Sequence, residues 1–233
     1  MRFFSLLFLF VSVLSSFGQS LIGAWERTDK PDLVEEKSYM IITDGFVVTT
    51  TVEAETGGFI RSRLEEWTLF DSSRFNVQLV FDTEYPEAEG GEYDAEISVR
   101  RNSMILDGEE WIRVDEGSDS KLTGIWKMTG VTLEGKKINL GLNHPRREIK
   151  ILSGTRFQWI DYDKNSRTFT ASGGGTYELK NNVYTEHIEF LTNEPEWIGS
   201  SISFQFKVSE GKWYHIGKGE DGVPIDEVWT RLN

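Results

Sequence analysis

Leu122-Thr123-Gly124-Ile125-Trp126 restates Leu21-Ile22-Gly23-Ala24-Trp25, and the stretches that these two openings begin also end alike, in Glu109-Glu110-Trp111-Ile112-Arg113-Val114 and Glu227-Val228-Trp229-Thr230-Arg231-Leu232. A chain that opens and closes two segments in the same words is expected to fold as two similar units. The inner text agrees, since Arg74-Phe75-Asn76-Val77-Gln78-Leu79-Val80-Phe81 aligns with Val183-Tyr184-Thr185-Glu186-His187-Ile188-Glu189-Phe190. The repeat makes each unit a control for the other. Positions apolar in both belong to the core, and positions where one copy turns polar are where function is expected.

Turn residues recur at short intervals, as in Thr43-Asp44-Gly45, Asp107-Gly108, Asn181-Asn182 and Glu210-Gly211, with alternating apolar runs between them. That rhythm predicts an all-β protein built as a sandwich or a barrel. The units are expected at residues 21–114 and 121–233, joined by a solvated linker, Asp115 to Ser120. Only Pro31 to Lys37 and Lys136 to Arg147 look irregular or helical, and each is expected to cap one end of its unit. Alternation places Ile202, Phe204, Phe206 and Val208 on the inner face, matching Tyr93, Ala95, Ile97 and Val99. A two-residue turn at Glu210-Gly211 sets Val208 opposite Trp213 and Phe206 opposite His215.

Residues 1–18 have the pattern of a signal peptide. Arg2 precedes an apolar run from Phe3 to Val13, and Ser16-Phe17-Gly18 supplies small residues ahead of a cut before Gln19. The run is shorter than the roughly 20 residues of a membrane span. Export to the periplasm or the exterior is therefore expected. With Cys 0 there is neither a disulfide nor a thiol for a lipid anchor. Lys+Arg 25 against Asp+Glu 38 gives a net charge of -13, which repels nucleic acid and anionic membrane surfaces.

A Gly-x-Trp on the first strand, meandering hairpins and an Arg on the last strand together resemble the lipocalin pattern of the calycin group. The second copy, notably Lys150 to Trp159 and Gly173-Gly174-Gly175-Thr176-Tyr177, resembles exported lipocalin-like domains of unknown function from Bacteroides-type bacteria, here as a tandem pair. The resemblance implies two up-and-down antiparallel barrels of about eight strands each. It also implies that Trp25 with Arg113, and Trp126 with Arg231, pack as structural pairs at the closed ends, where a guanidinium over an indole gains cation–π attraction. The alternative is that Arg231 anchors a ligand carboxylate inside the barrel.

The second copy has Glu186 and His215 where the first has Val77 and Leu106. An inward carboxylate and imidazole need each other, water or a ligand. The expected site is a pocket in the second barrel, with Glu186 and His215 as polar groups and Trp159, Phe204, Phe206 and Trp213 as walls, while the first barrel is filled by its own side chains. The alternative is a structural bond between the two polar groups. No metal or cofactor is expected: Asp161-Tyr162-Asp163-Lys164-Asn165 lacks the Gly and Glu of a calcium loop, the three histidines are scattered, and no nucleophile elbow is present. The function expected from these features is binding of a small, largely apolar or amphipathic molecule. A non-enzymatic envelope interaction protein with solid barrels comes second, and an isomerase or cyclase using Glu186 and His215 comes last.

Overall fold

A computed structural model describes residues 21–29, 35–117, 120–219 and 222–232. The expected leader, residues 1–18, and most of the expected cap at Pro31 lie outside the described residues. The first unit contains β1 (Gly23–Asp29), β2 (Glu36–Thr43), β3 (Phe46–Glu53), β4 (Phe59–Leu69), β5 (Arg74–Asp82), β6 (Glu92–Val99), β7 (Ser103–Leu106) and β8 (Glu109–Asp115). Each strand pairs antiparallel with the next and β8 returns to β1, closing a barrel. The second unit contains β9 (Gly124–Leu133), β10 (Lys136–Asn139), β11 (Arg146–Leu152), β12 (Arg156–Asp163), β13 (Thr168–Lys180), β14 (Val183–Leu191), β15 (Ser201–Ser209), β16 (Lys212–Lys218) and β17 (Pro224–Arg231). Here β9 pairs with both β11 and β17, so eight strands again close a ring. The protein is thus all-β, two up-and-down antiparallel barrels one after the other in the chain.

One expectation fails in this ring. Lys136 to Arg147 holds no helical cap: its first residues form β10, a strand that folds back on the outer half of β9. Glu134 and Gly135, both at positive φ, make the two-residue turn that this hairpin requires. Asp107-Gly108, Asn181-Asn182 and Glu210-Gly211 do the same elsewhere, again with both residues at positive φ. The last of these puts Val208 opposite Trp213 and Phe206 opposite His215, as the alternation predicts.

The paired openings have a steric cause. Arg113 lies over Trp25 at 3.9 Å and Arg231 over Trp126 at 4.2 Å. Each indole N–H donates to the carbonyl of the leucine four residues earlier, Leu21 or Leu122. Gly124 sits at φ 123°, and a Cβ there would meet Arg231 Nη1 at 2.3 Å. The glycine leaves the space through which the arginine reaches the ring. Arg231 also donates to the carbonyls of Thr123 and Lys121, so it belongs to the closed end and anchors no ligand in the lumen.

Strict alternation breaks at matching stations in the two barrels, among them one on β5 and β14. β5 carries an extra residue, Val80, between Leu79 opposite Glu65 and Phe81 opposite Leu64. β14 carries Glu189 in the same way between Ile188 and Phe190. A bulge of this kind flips the facing of the residues beyond it. Leu79 therefore faces the lumen, whereas Phe81 turns outward and stacks on Tyr162 of the other barrel at 4.2 Å. Phe190 likewise turns outward, toward Phe59.

Phe81 and Tyr162 belong to a third apolar cluster that joins the barrels. Ile41, Val48, Leu64 and Phe81 from the first pack with Ile125, Ile149, Ile151, Ile160 and Tyr162 from the second. Gln158 donates to Ser62 Oγ at 2.8 Å across this face, and Arg156, paired with Glu189, lies 3.9 Å over the Tyr39 ring. The linker is likewise tied rather than merely solvated at its start, because Asp115 Oδ2 accepts from Ser153 and Thr155. The strands on this face, such as Tyr39-Met40-Ile41-Ile42 and Ile149-Lys150-Ile151-Leu152, are buried on both sides and carry large side chains at consecutive positions.

Candidate functional site

The cavity lies in the first barrel. It encloses about 290 Å³ and is lined by residues of that barrel alone. Met40, Val47, Trp67, Phe75, Ala95 and Trp111 form its apolar part, toward the end closed by Trp25 and Arg113. Arg27, Arg61, Arg63, Asp82, Glu84 and Glu109 line the other end, where the chain turns between β1 and β2, β3 and β4, β5 and β6, and β7 and β8. The lumen is therefore amphipathic along its axis, with an apolar floor and a charged mouth.

Between floor and mouth stands Glu65, only 8% exposed at its side chain. Its Oε1 accepts from Tyr93 Oη at 2.6 Å and lies 3.6 Å from Arg63 Nη1. Burial lifts its carboxyl above the ordinary value, against the opposing pull of Tyr93 and Arg63. Tyr93 is also pushed up, first by burial and then by the neighbouring Glu65 charge, and keeps its proton. Neither residue was singled out for function from the sequence. The signal was present in Arg63-Leu64-Glu65, a charge on each inward position of a strand whose copy carries Gly173-Gly174-Gly175 instead.

Against the expectation, a cavity lies in the first barrel, and the second carries larger side chains at several matching inward stations. Strand registers put Ala95 and Phe204 at equivalent stations, opposite Phe75 and Tyr184. In the same way Met104 corresponds to Trp213, Val47 to Phe157 and Thr49 to Trp159. Each exchange enlarges the second barrel's side chain and fills its lumen. Gly173 belongs to this filling, because a Cβ there would stand 2.9 Å from the Trp159 ring. Trp159, Phe204, Phe206 and Trp213 do gather on the second core as alternation places them, but as packing rather than as pocket walls.

Glu186 and His215 both point inward, yet they do not pair with each other. Glu186 accepts from Lys150 Nζ at 2.8 Å, with both side chains nearly sealed from solvent. His215 Nδ1 lies 3.0 Å from Glu227 Oε2, which also accepts from the Trp229 indole. Burial pushes the imidazole down, outweighing the pull of Glu227, so the ring is neutral and donates through Nδ1. Burial alone would raise Glu227, but His215, Lys150 and Trp229 bring it below its ordinary value. Glu148 goes the other way, pushed up to about 8 by burial and by the charges of Glu227 and Asp161. Lys150 was missed because its partner Glu186 sits on a strand distant in sequence. At equivalent stations the first barrel has Met40 and Glu109.

Among the described residues no group of histidine, aspartate and glutamate side chains is placed to hold a metal ion. Asp163 Oδ1 is occupied by the backbone of Asn165 and Ser166, which makes that loop a hairpin turn. No curated protein matches the sequence. Among solved structures, a lipocalin-like protein from Bacteroides uniformis is 13% identical, with a TM-score of 0.36, and aligns over 48% of this chain and 100% of its own. An uncharacterized protein of Saccharomyces cerevisiae, YLR301w, is 9% identical, with a TM-score of 0.42, and aligns over 90% of this chain and 98% of its own. The second barrel, residues 121–233, matches the family model of a domain of unknown function, DUF4488.

Proposed function

We propose that this protein binds a small, largely apolar molecule, and that the first barrel holds it while the second serves as a solid support. The observation that carries this reading is the cavity of about 290 Å³ with aromatic and aliphatic walls and a charged mouth. Its size lies at the lower end of small-molecule sites, and its division into an apolar body and a few polar groups is what such sites use for affinity and orientation. The leader pattern of residues 1–18 supports an encounter with the ligand in the periplasm or outside the cell.

An enzymatic role for Glu186 and His215 gains no support, because each is engaged by a buried partner and the cavity does not reach them. Titration with N-phenyl-1-naphthylamine, a neutral fluorescent probe, tests the proposal. Saturable enhancement at one site per chain, lost in Ala95→Phe and kept in Phe204→Leu, is the expected result. A wild-type protein that gives no saturable signal, or an Ala95→Phe variant that binds equally well, overturns it.

A further inference from the structure

The charges around the cavity are not evenly spent. Its lining contains three arginines, Arg27, Arg61 and Arg63, against five carboxylates, Glu65, Asp82, Glu84, Asp107 and Glu109. Every arginine is already engaged. Arg27 reaches Asp29 at 2.7 Å and Glu109 at 3.2 Å through its terminal nitrogens, with only Nε lacking a hydrogen bond. Arg61 pairs with Glu36 at 3.1 Å and lies 3.8 Å from Glu84. Arg63 binds Asp82 at 2.9 Å and lies only loosely, at 3.6 Å, against Glu65.

Most of the carboxylates are also occupied. Asp82 Oδ1 accepts from the backbone of Glu84 and Tyr85, and Asp107 Oδ1 accepts from the backbone of Glu96. Glu65 differs, since both of its contacts fall on Oε1 and its Oε2 carries no hydrogen bond among the described residues. This oxygen belongs to a residue that lines the cavity, between its apolar floor and its charged mouth. An open carboxylate acceptor inside the cavity suits a cation, because it supplies both the charge and a charge-assisted hydrogen bond. An anionic ligand would face a net excess of negative groups with no unspent guanidinium terminus.

We infer that the ligand of the first barrel carries a protonated amine, seated on Glu65 Oε2, with its apolar body on the floor formed by Met40, Val47 and Phe75. This rests on the cavity being the binding site. The Tyr93 hydrogen bond holds the Glu65 carboxylate in orientation and leaves Oε2 for the ammonium group. Because burial has lifted this carboxyl above its ordinary value, amine binding weakens as pH falls through that raised value and the group takes up a proton.

Calorimetric titration with three probes of one shape, phenethylamine, 2-phenylethanol and 3-phenylpropionate, tests the assignment. The amine is expected to bind at least about tenfold more tightly than the other two, the scale of one charge-assisted hydrogen bond. Glu65→Gln is expected to bring it down to the alcohol, while an unchanged far-ultraviolet circular dichroism spectrum and a cooperative melt show that the variant is folded. The wild-type preference is also expected to fade on acidification. Equal or stronger binding of the carboxylate, or an amine preference unchanged in Glu65→Gln, overturns the inference while saturable naphthylamine binding leaves the cavity reading standing. Failure of the naphthylamine itself removes the cavity reading instead.

Discussion

Ala95 and Phe204 occupy the same station in the two barrels, each on the inner face and each opposite an aromatic residue, Phe75 in one and Tyr184 in the other. A methyl group in one barrel and a benzyl group in the other help to decide which lumen is hollow. Exchanging them should exchange the outcome. Ala95→Phe places a ring into existing space, so the ligand-free protein is expected to keep or raise its melting temperature while losing the probe. Phe204→Ala opens a hole in a packed core and is expected to cost about 3–5 kcal/mol. Thermal and denaturant unfolding of both variants check the pair, and equal destabilisation by both would contradict the assignment of the cavity.

Lys150 and Glu186 form an ion pair that the second barrel seals from water, at stations where the first barrel carries Met40 and Val77. Removing one partner strands the other charge. Glu186→Val or Lys150→Met alone is expected to lose about 3–5 kcal/mol, while the double variant Lys150→Met with Glu186→Val recovers most of that loss. Urea denaturation of the four proteins gives the coupling energy directly. Additive single effects would show that the pair is not the buried unit described.

Glu148 gives the second barrel a pH dependence with a definite sign. Its value rises from 4.5 to about 8 on folding, because burial and the negative Glu227 and Asp161 favour its protonated form. The folded state thus holds a proton that the unfolded chain gives up near pH 4.5. The stability this supplies is complete below about pH 4.5 and is lost as pH rises through about 8. Glu148→Gln is expected to flatten the decline in stability between pH 5 and 8, measured by denaturation at each pH. Groups held low on folding, such as Asp115, act in the opposite sense and largely cancel in the comparison.

Phe81 and Tyr162 stack across the face that joins the barrels. With an apolar cluster of this size shared between them, the two barrels are expected to unfold in one calorimetric transition. Phe81→Ala removes a fully buried ring and is expected to cost about 3–5 kcal/mol. Adding Leu64→Glu, which buries a charge in the same cluster, is expected to separate the transition into two. Two independent transitions in the wild-type protein would mean that the interface carries little coupling.

The inward set Phe204, Phe206, Tyr184 and Glu186 was legible because a strand's two-residue period needs only the local order of side chains. The Glu210-Gly211 turn extended that reading to the partners of Trp213 and His215. Phe81 and Phe190 escaped it, since a single extra residue at Val80 or Glu189 reverses the facing beyond it without altering the apolar pattern. The shared face was half visible in Ile149-Lys150-Ile151-Leu152, where large residues at consecutive positions signal burial on both sides. Which surface covers the outer side is a long-range contact, and local order does not contain it.

The candidate site divides along the same line. Repetition in the sequence determined two similar all-β units, whereas their closure as barrels and the Trp–Arg clasp at one end of each were what the lipocalin resemblance implied. Polarity inside a barrel was legible in the same way, and it drew attention to Glu186 and His215. Emptiness was not, because a lumen is the difference between the volume a ring of strands encloses and the volume its side chains fill. Only the folded ring sums those volumes, through Ala95 against Phe204 and Thr49 against Trp159, and the sum leaves space in the first barrel around Glu65.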